Sequence, residues 1–383
     1  MLSEEHIGPA PSHDTVRIPG AIGPLRSLGE RLYTLAHGER LFLFLLAAGF
    51  TVAALVYRSP ALAMWFGFGV AAYSVVANDS IQTIGTFIAS NRHQKWWVLW
   101  LFIGGIFAAT VTYSWFAYGG DVSSGRLASK GFAEAPTSFS YLQIAAPLVL
   151  LVLTRLRMPV STTFLLLSSF AATASSIGSV LSKSLLGWVV AFGVAALVWG
   201  LAQKVFDRWF TGTPHPAWRV AQWVTSGLLW SVWIMQDAAN IAVYLPRALS
   251  WVELLGFIGL VVVGLGILFR MGGEKVQKVV DEKSHIVDVR AATVVDVVYA
   301  GVLYYFKVLS DVPMSTTWVF IGLLGGRELA MALHKSSGIG VRGAAKLIGK
   351  DLLSVTIGLL VSLLLAYAVN DAFRTQIDAL LIL

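Results

Sequence analysis

Residues 61–86 read ALAMWFGFGVAAYSVVANDSIQTIGT. An apolar stretch runs from Ala61 to Val75, and the Asn78–Asp79 pair follows it with no turn signal between. A helix needs about 20 apolar residues to cross the hydrocarbon core of a bilayer. A carboxylate in such a setting is costly to ionise unless a cation or a set of donors compensates it. Two readings compete for Asp79. Asn and Asp cap helix ends well, so the pair is either a helix boundary or part of a polar site inside a membrane protein.

The rest of the chain settles the class. Of 383 residues, 56% are hydrophobic and 13% charged, where soluble domains carry roughly 25% charged residues. Apolar runs fall near 41–57, 61–90, 97–117, 141–156, 160–181, 185–204, 220–245, 252–269, 291–309, 313–333 and 351–369. These runs are continuous, whereas a β-barrel shows alternating segments of about ten residues. The chain reads as an all-α polytopic membrane protein with about 10–12 membrane segments, so the lipid bilayer is its expected surroundings. It has no cysteine, which excludes a disulfide framework and a thiolate metal site. None of its histidines has HExxH spacing. The net charge of +7 belongs to cytoplasmic loops under the positive-inside rule, and no nucleic-acid partner is expected. The first forty residues lack the basic, apolar and small-residue order of a secretory signal, so the first span is expected to act as an uncleaved anchor.

Two runs are rich in Ser, Thr and Gly: PVSTTFLLLSSFAATASSIGSVLS (159–182) and PMSTTWVFIGLLGGRELAMAL (313–333). Each begins with proline directly after another apolar run, which predicts a re-entrant hairpin or a broken helix. The order of landmarks repeats. Ser161 follows Asp79 by 82 residues, and Ser315 follows Asp237, in MQDAANIAVYLP, by 78. The expected organisation is a polar segment 1–40, an extra N-terminal transmembrane helix 41–60, a first repeat 61–204, a linker 205–219 and a second repeat 220–383. Duplicated halves with polar, broken helices in matching places mark a secondary transporter whose site lies at the repeat interface. An odd number of crossings per half inverts the second copy, and the hairpins leave that parity open.

Recurrence also weighs the polar residues. Ser161, Thr162 and Thr163 taken alone fit hydroxyls bonded to the carbonyl four residues back. Two Asp sites and two Ser-Thr-Thr sites at matched spacing favour function. Carboxylates, amide carbonyls and hydroxyls are hard oxygen ligands for a small cation such as Na⁺. Hydroxyls and helix N-termini hold an oxyanion. A site with both lets one charge offset the other, as symport requires. Asp296, inside AATVVDVVYAG, reads as a polar-interior or ion-site residue. Arg327–Glu328 reads as a local pair, Arg155 and Arg157 as interface anchors, and KWWVLW (95–100) as interfacial belt. Loops 270–290 and 334–350 are rich in Lys and Arg and are expected in the cytoplasm, with 118–140 outside. An acid/base enzyme built on Asp79 and Asp237 fits less well, because no nucleophile motif accompanies them. A channel or a non-transporting paralogue is a further alternative.

These motifs resemble the PiT inorganic phosphate transporters, over about 61–370. In each of two inverted repeats that family carries a motif close to G-A-N-D-V-A-N-A/S-x-G-T/P and, later, P-V-S-T-T-H at a re-entrant hairpin. ANDSIQTIGT with MPVSTTF matches the first repeat here, and MQDAANIAVYLP with VPMSTTW the second. The stretch 269–301 is similar to the family's basic segment and the helix after it, with Asp296 near that helix's acidic residue. The chain departs from the pattern at Gln82 and Gln236 in place of Asn, at Val243 in place of Gly, and at Phe164 and Trp318 in place of His. Asn-to-Gln keeps the amide and moves it by roughly 1.5 Å. The resemblance implies two inverted repeats meeting at a midplane site in the cytoplasmic membrane, and no enzyme activity. Asn78, Asp79, Gln236, Asp237 and Asp296 are the expected cation ligands. Ser161, Thr162, Thr163, Ser315, Thr316, Thr317, Gln82 and Asn240 are the expected oxyanion ligands. Inorganic phosphate, or alternatively sulfate, is the implied substrate and Na⁺ (or H⁺) the transported coupling cation. No tightly bound cofactor is expected, and a homodimer is the candidate assembly.

Overall fold

The computed structural model describes residues 39–91, 93–128, 131–156, 160–209, 212–272, 288–334 and 340–381. The sequence readings at Arg157, Pro159 and Lys130, most of the basic segment 270–290 and residues 335–339 lie outside them. Every regular element among the described residues is helical. In chain order these are α1 (Arg40–Val56), α2 (Pro60–Ser90), α3 (Trp96–Ala117), α4 (Tyr141–Arg155), α5 (Thr162–Leu165) with a 3₁₀ turn (Leu167–Phe170), α6 (Ala174–Trp209), α7 (Ala217–Ala242), α8 (Trp251–Ile267) running into a π turn (Leu268–Gly272), α9 (Val289–Leu309), α10 (Thr316–Leu333), α11 (Val341–Val369) and α12 (Asp371–Leu381). The chain divides after Ala48, and the unit Gly49–Leu383 holds everything discussed below.

Six helices are long and apolar enough to cross a membrane: α2, α3, α6, α8, α9 and α11. Their shortest apolar stretches, Pro60–Asp79 and Trp251–Arg270, are 20 residues long, about 30 Å at about 1.5 Å per residue, the thickness of a hydrocarbon core. Their outer faces carry exposed Leu255, Val263, Leu353 and Leu364, while the interior holds buried Asp, Asn, Gln, Ser and Thr. The chain thus has the build of a multi-pass membrane protein. The expectation of ten to twelve segments exceeds these six. Helix α7 is 26 residues long but falls outside the set, since its buried face carries Gln222, Ser226, Gln236, Asp237 and Asn240.

Two boundaries differ from the sequence reading. The runs 160–181 and 185–204 are not two spans, because α6 continues from Ala174 to Trp209. The linker shrinks accordingly, with α6 ending at Trp209 and α7 starting at Ala217. The break in 159–182 falls where expected, as a four-residue α5 and a 3₁₀ turn. The second break falls at 310–315, around Pro313 as the sequence predicts, and residues 316–333 after it form one uninterrupted helix. Gly322 and Gly326 let α10 lie close against α6.

Proline shapes the neighbouring α4. Pro147 lacks an N–H, so the Gln143 carbonyl one turn earlier loses its helical donor. The Tyr244 hydroxyl donates to that carbonyl at 2.9 Å, and Ser74 Oγ donates to Pro147 O at 2.8 Å. Tyr244→Phe removes the replacement donor and leaves a buried carbonyl unsatisfied. We expect a loss of about 1–3 kcal/mol in stability, read as a lower thermal midpoint, with Tyr244→Trp no better because its donor sits elsewhere on the ring.

Helices α2 and α7, which carry Asp79 and Asp237, run antiparallel. Three contacts fix this direction. Near the carboxylates, Asn240 and Thr162 bridge the two helices. Farther along α2, and earlier along α7, Thr86 and Ser226 both donate to Asp296. At the end, Asn91 Nδ2 donates to Gln222 Oε1 at 2.7 Å and Gln222 Nε2 to Ser90 Oγ at 2.6 Å.

Candidate functional site

The two motif stretches and the two Ser-Thr-Thr segments converge on one buried cluster. Asp79 accepts from Thr162 Oγ1 at 2.6 Å and from Asn78 Nδ2 at 2.7 Å. Asp237 accepts from Thr316 Oγ1 at 2.5 Å and from Asn240 Nδ2 at 2.7 Å. Matching threonines thus hold matching carboxylates. Asn240 Nδ2 also lies 2.9 Å from Thr162 Oγ1 and 3.2 Å from Thr163 Oγ1. A chain of hydrogen bonds, Asp79–Thr162–Asn240–Asp237, therefore joins the two acids. Each carboxylate is 1% exposed, and among the described residues neither makes an ion pair.

The Ser-Thr-Thr segments cross-brace one another. Thr163 Oγ1 donates to Met314 O at 3.2 Å, and Thr317 Oγ1 donates to Val160 O at 3.5 Å. Val160 and Met314 stand directly before the two serines, so each segment's last threonine reaches the equivalent carbonyl of the other. Ser161 and Ser315 are N-caps: Phe164 N donates to Ser161 Oγ and Trp318 N to Ser315 Oγ, both at 3.3 Å. Capping satisfies an N–H that the first turn of a helix otherwise leaves free, and it aims the following threonines at the acids.

The amides complete the donor set. The Asn240 nitrogen faces three acceptors, which turns its oxygen away from them, and Asn240 Oδ1 is buried with no donor. Gln236 Nε2 donates to Leu303 O at 2.9 Å on α9, and Gln236 Oε1 is likewise buried with no donor. Unsatisfied buried polar atoms are rare in folded proteins. Donorless amide oxygens are hard ligands of the kind a small cation takes, and both of these lie on the helix that carries Asp237. No group of three His, Cys, Asp or Glu side chains occurs among the described residues, so the donors there are two carboxylates with neutral oxygens.

Not every expected residue joins the cluster. Asn78 is shared, because its Nδ2 also donates to Val160 O at 2.8 Å and its Oδ1 accepts from Thr154 at 3.3 Å. Gln82 stays on its own helix, its Nε2 reaching Asn78 O at 3.5 Å. Asp296 is placed apart from the two acids. Its partners are Thr86 Oγ1 at 2.9 Å and Ser226 Oγ at 2.5 Å, and Thr86 lies seven residues beyond Asp79 on α2, about 10 Å along the helix. The carboxylate of Asp296 is fully buried, and it occupies a separate polar level between α2, α7 and α9. We expect Ser226→Ala to strip one of its two donors and lower stability by about 1.5–3 kcal/mol, the range for a hydrogen bond to a charged group, with Ser226→Thr close to the parent in the same thermal unfolding assay. Arg327 and Glu328 form the local pair, at 2.7 Å.

Three partners escaped the sequence reading. The Tyr299 hydroxyl donates to Thr316 O at 3.0 Å; an isolated tyrosine in an apolar run carries no signal of that kind. Arg126 and Lys183 sit beside the cluster. Arg126 belongs to the α3–α4 loop, where Asp121 accepts from Ser123 N and Gly125 N and folds the turn. Its guanidinium is fully buried and bonds to Ser310 O. Burial pulls its pKa down to about 10, while Asp311, Asp237 and Tyr118 act in the opposite sense, so it is charged at neutral pH. Lys183, on α6, donates to Ser310 O at 2.7 Å and Val312 O at 2.5 Å. A single lysine between the apolar runs 160–181 and 185–204 was the legible signal, while nothing in SSGRLASKG sets Arg126 apart from a loop cation. The chain matches no family model, no curated protein and no solved structure.

Proposed function

We propose that this protein is a cation-coupled carrier of a tetrahedral oxyanion, with inorganic phosphate as substrate and Na⁺ as the coupling ion. The observation that carries the reading is the paired carboxylate cluster: Thr162 on Asp79 and Thr316 on Asp237, joined through Asn240 Nδ2. Two buried acids joined by hydrogen bonds, and without an ion-pair partner among the described residues, repel one another unless a cation lies near or protons are taken up. A resident cation would take its charge compensation from Asp237 and Asp79, and a turn of the Asn240 amide would bring its oxygen to that cation.

The antiparallel course of α2 and α7, and the reciprocal bonds of Thr163 and Thr317, support an inverted duplication meeting at this site. Carriers of that build place substrate and ions at the repeat interface and alternate access by moving one half against the other. No side chain of the cluster is more than 6% exposed, so ions reach it only when helices part. The resemblance to the phosphate carriers supplies the substrate class, and the change from Asn to Gln at 82 and 236 makes sulfate the alternative.

Uptake into proteoliposomes tests this. Labelled phosphate accumulates when an inward Na⁺ gradient is imposed and stops when the gradient is collapsed. Accumulation driven by a proton gradient alone replaces Na⁺ with H⁺ in the scheme, and accumulation of sulfate but not phosphate replaces the substrate. Saturation-free flux indifferent to every gradient rejects a carrier.

A further inference from the structure

The acid cluster lies between two ends of the helix bundle, and a buried loop covers one of them. Helix α3 runs alongside α7 in the same direction. The Phe102 and Trp223 ring centroids are 4.7 Å apart, Thr110 Oγ1 lies 2.9 Å from Ser231 Oγ, and Trp115 Nε1 donates to Leu249 O at 2.7 Å. The loop that leaves α3 therefore stands at the Asn240 end of α7. The contact of Asn91 with Gln222 marks the opposite end.

Loops ordinarily run over the surface, because their backbone groups need water. Residues Val122–Leu127 are instead all buried. The loop supplies its own partners in place of water. Asp121 accepts from Ser123 N at 2.7 Å and from Gly125 N at 3.0 Å, and Ser123 Oγ accepts from Leu127 N at 3.0 Å. Ser114, in the last turn of α3, donates its hydroxyl to Asp121 O and accepts from Ser124 N. These bonds lie within the loop or to α3, so the loop keeps its shape without help from the other helices.

Its ties to other elements are of a different kind. Leu249 N donates to Gly120 O at 2.9 Å. Arg247, between α7 and α8, donates to Phe132 O at 3.0 Å and Glu134 O at 2.6 Å. At the tip, Arg126 Nη1 donates to Ser310 O, and Asp311 next to it attracts the same guanidinium. The 310–312 segment leads into α10, whose Thr316 holds Asp237. Arg126 thus fastens the loop to the segment that enters the acid cluster. Behind the loop, an open cavity of about 390 Å³ separates it from the α7–α8 connection, with Tyr118, Asp121, Leu127, Ala133, Arg247 and Ala248 in its wall. Gly119 and Gly120, at the junction with α3, have φ of +61° and +100°, which glycine adopts without strain and which suits a hinge.

We propose that Val122–Leu127 is a gate over the acid cluster, bolted by Arg126 on the Ser310 carbonyl, with the cavity at Arg247 as the vestibule from which ions enter. This rests on the carrier reading and deepens it, because alternating access needs a barrier at each end of the site. The layer of Ser90, Asn91 and Gln222 is the barrier at the other end. The bolt also senses the site. Asp237 attracts Arg126 through space, so a cation at Asp237 weakens that pull and loosens the loop.

The chain has no cysteine, so a single introduced thiol reports the opening. Val122→Cys places it in the loop. Leu254→Cys, equally buried in the first turn of α8 at the same end of the bundle, is the control. Both are labelled in the purified full chain with a water-soluble maleimide. Val122→Cys is expected to react about tenfold faster than Leu254→Cys, and Na⁺ with phosphate to change its rate at least threefold. Adding Arg126→Gln is expected to speed labelling of Val122→Cys about tenfold more, as loss of a charge-assisted hydrogen bond predicts for a local opening, and Arg126→Lys to speed it less. Should Arg126→Gln not fold, Arg247→Gln, which releases Phe132 O and Glu134 O, takes its place with the same expected direction. Gradient-driven uptake by a Val122→Cys protein whose thiol stays as unreactive as that of Leu254→Cys, with either arginine replaced, overturns the gate and leaves the carrier reading standing. Opening that the arginine variants speed, but that Na⁺, phosphate and sulfate leave unchanged, supports the gate and counts against the carrier reading.

Discussion

Asp237→Asn is expected to abolish gradient-driven uptake, with Asp79→Asn close behind. The reason is local chemistry as much as lost charge. Asp237 accepts from Thr316 and Asn240, and Thr163 Oγ1, which donates to Met314 O, lies 3.5 Å from it. An amide at 237 turns an NH₂ group toward at least one of these donors, so a hydroxyl must rotate away and Thr316 loses its anchor. A resident cation loses its closest formal charge in the same step. Loss of two hydrogen bonds to a charged group, each worth about 1.5–3 kcal/mol, predicts a fall of about 100-fold or more in uptake rate. Asp79→Asn removes one strong acceptor, for Thr162, and breaks the hydrogen-bonded chain between the acids. Uptake by equal amounts of reconstituted protein measures both. Full accumulation by Asp237→Asn would remove the carboxylate pair from the mechanism. A second check separates charge from shape: Asp237→Glu keeps the charge, displaces it by one methylene and is expected to recover part of the Na⁺ response but not the parent rate.

The sequence made the acids and threonines legible for a physical reason. A carboxylate in a membrane run is costly, so its presence is informative, and repetition at nearly equal spacing makes coincidence a poor explanation. Ser161 and Ser315 were expected as oxyanion ligands at hairpin starts, and the structure adds that each caps the helix that follows it. What the sequence left out is what depends on three dimensions. Asp296 carries the same costly signal as Asp79, yet its level in the bundle is set by Thr86 and Ser226, residues with no local mark. Arg126 sits in a loop that reads as solvent-exposed and is instead fully buried. The boundary errors have one origin. Hydropathy separates runs wherever a few polar residues intervene, and Ser182, Lys183 and Ser184 interrupt the run in the first third of α6 without interrupting the helix. Their side chains bond to Gly178 O, to the 310–312 carbonyls and to Val180 O, so each polar group is satisfied inside the helix or by a neighbouring segment.

Gly326→Ala is expected to destabilise the protein more than any other single-methyl addition on these helices. A Cβ built at 326 meets Phe192 O at 2.1 Å and Ala196 N at 3.0 Å, and one at 322 meets Trp188 O at 2.4 Å. Those are backbone atoms of α6, and no rotamer change moves them. Helices α6 and α10 must separate to admit the methyl, as at other membrane helix pairs whose backbones approach through small residues. Overpacking of this kind costs about 1–3 kcal/mol. The displacement does not stay local, because α10 is the helix that begins at Thr316 and carries its hydroxyl to Asp237. Uptake should therefore fall further than the loss of folded protein explains. Gly193 gives the control on the same helix α6. Nothing lies within 4 Å of a Cβ there, so Gly193→Ala gains helix propensity at no steric cost and should raise stability by up to about 1 kcal/mol. Thermal unfolding followed by tryptophan fluorescence reads both variants, and midpoints moving in opposite directions identify the backbone contact as the cause. Equal shifts would mean that α6 and α10 do not touch at Gly326, and the helix carrying Thr316 would then have to be held against the site by other contacts.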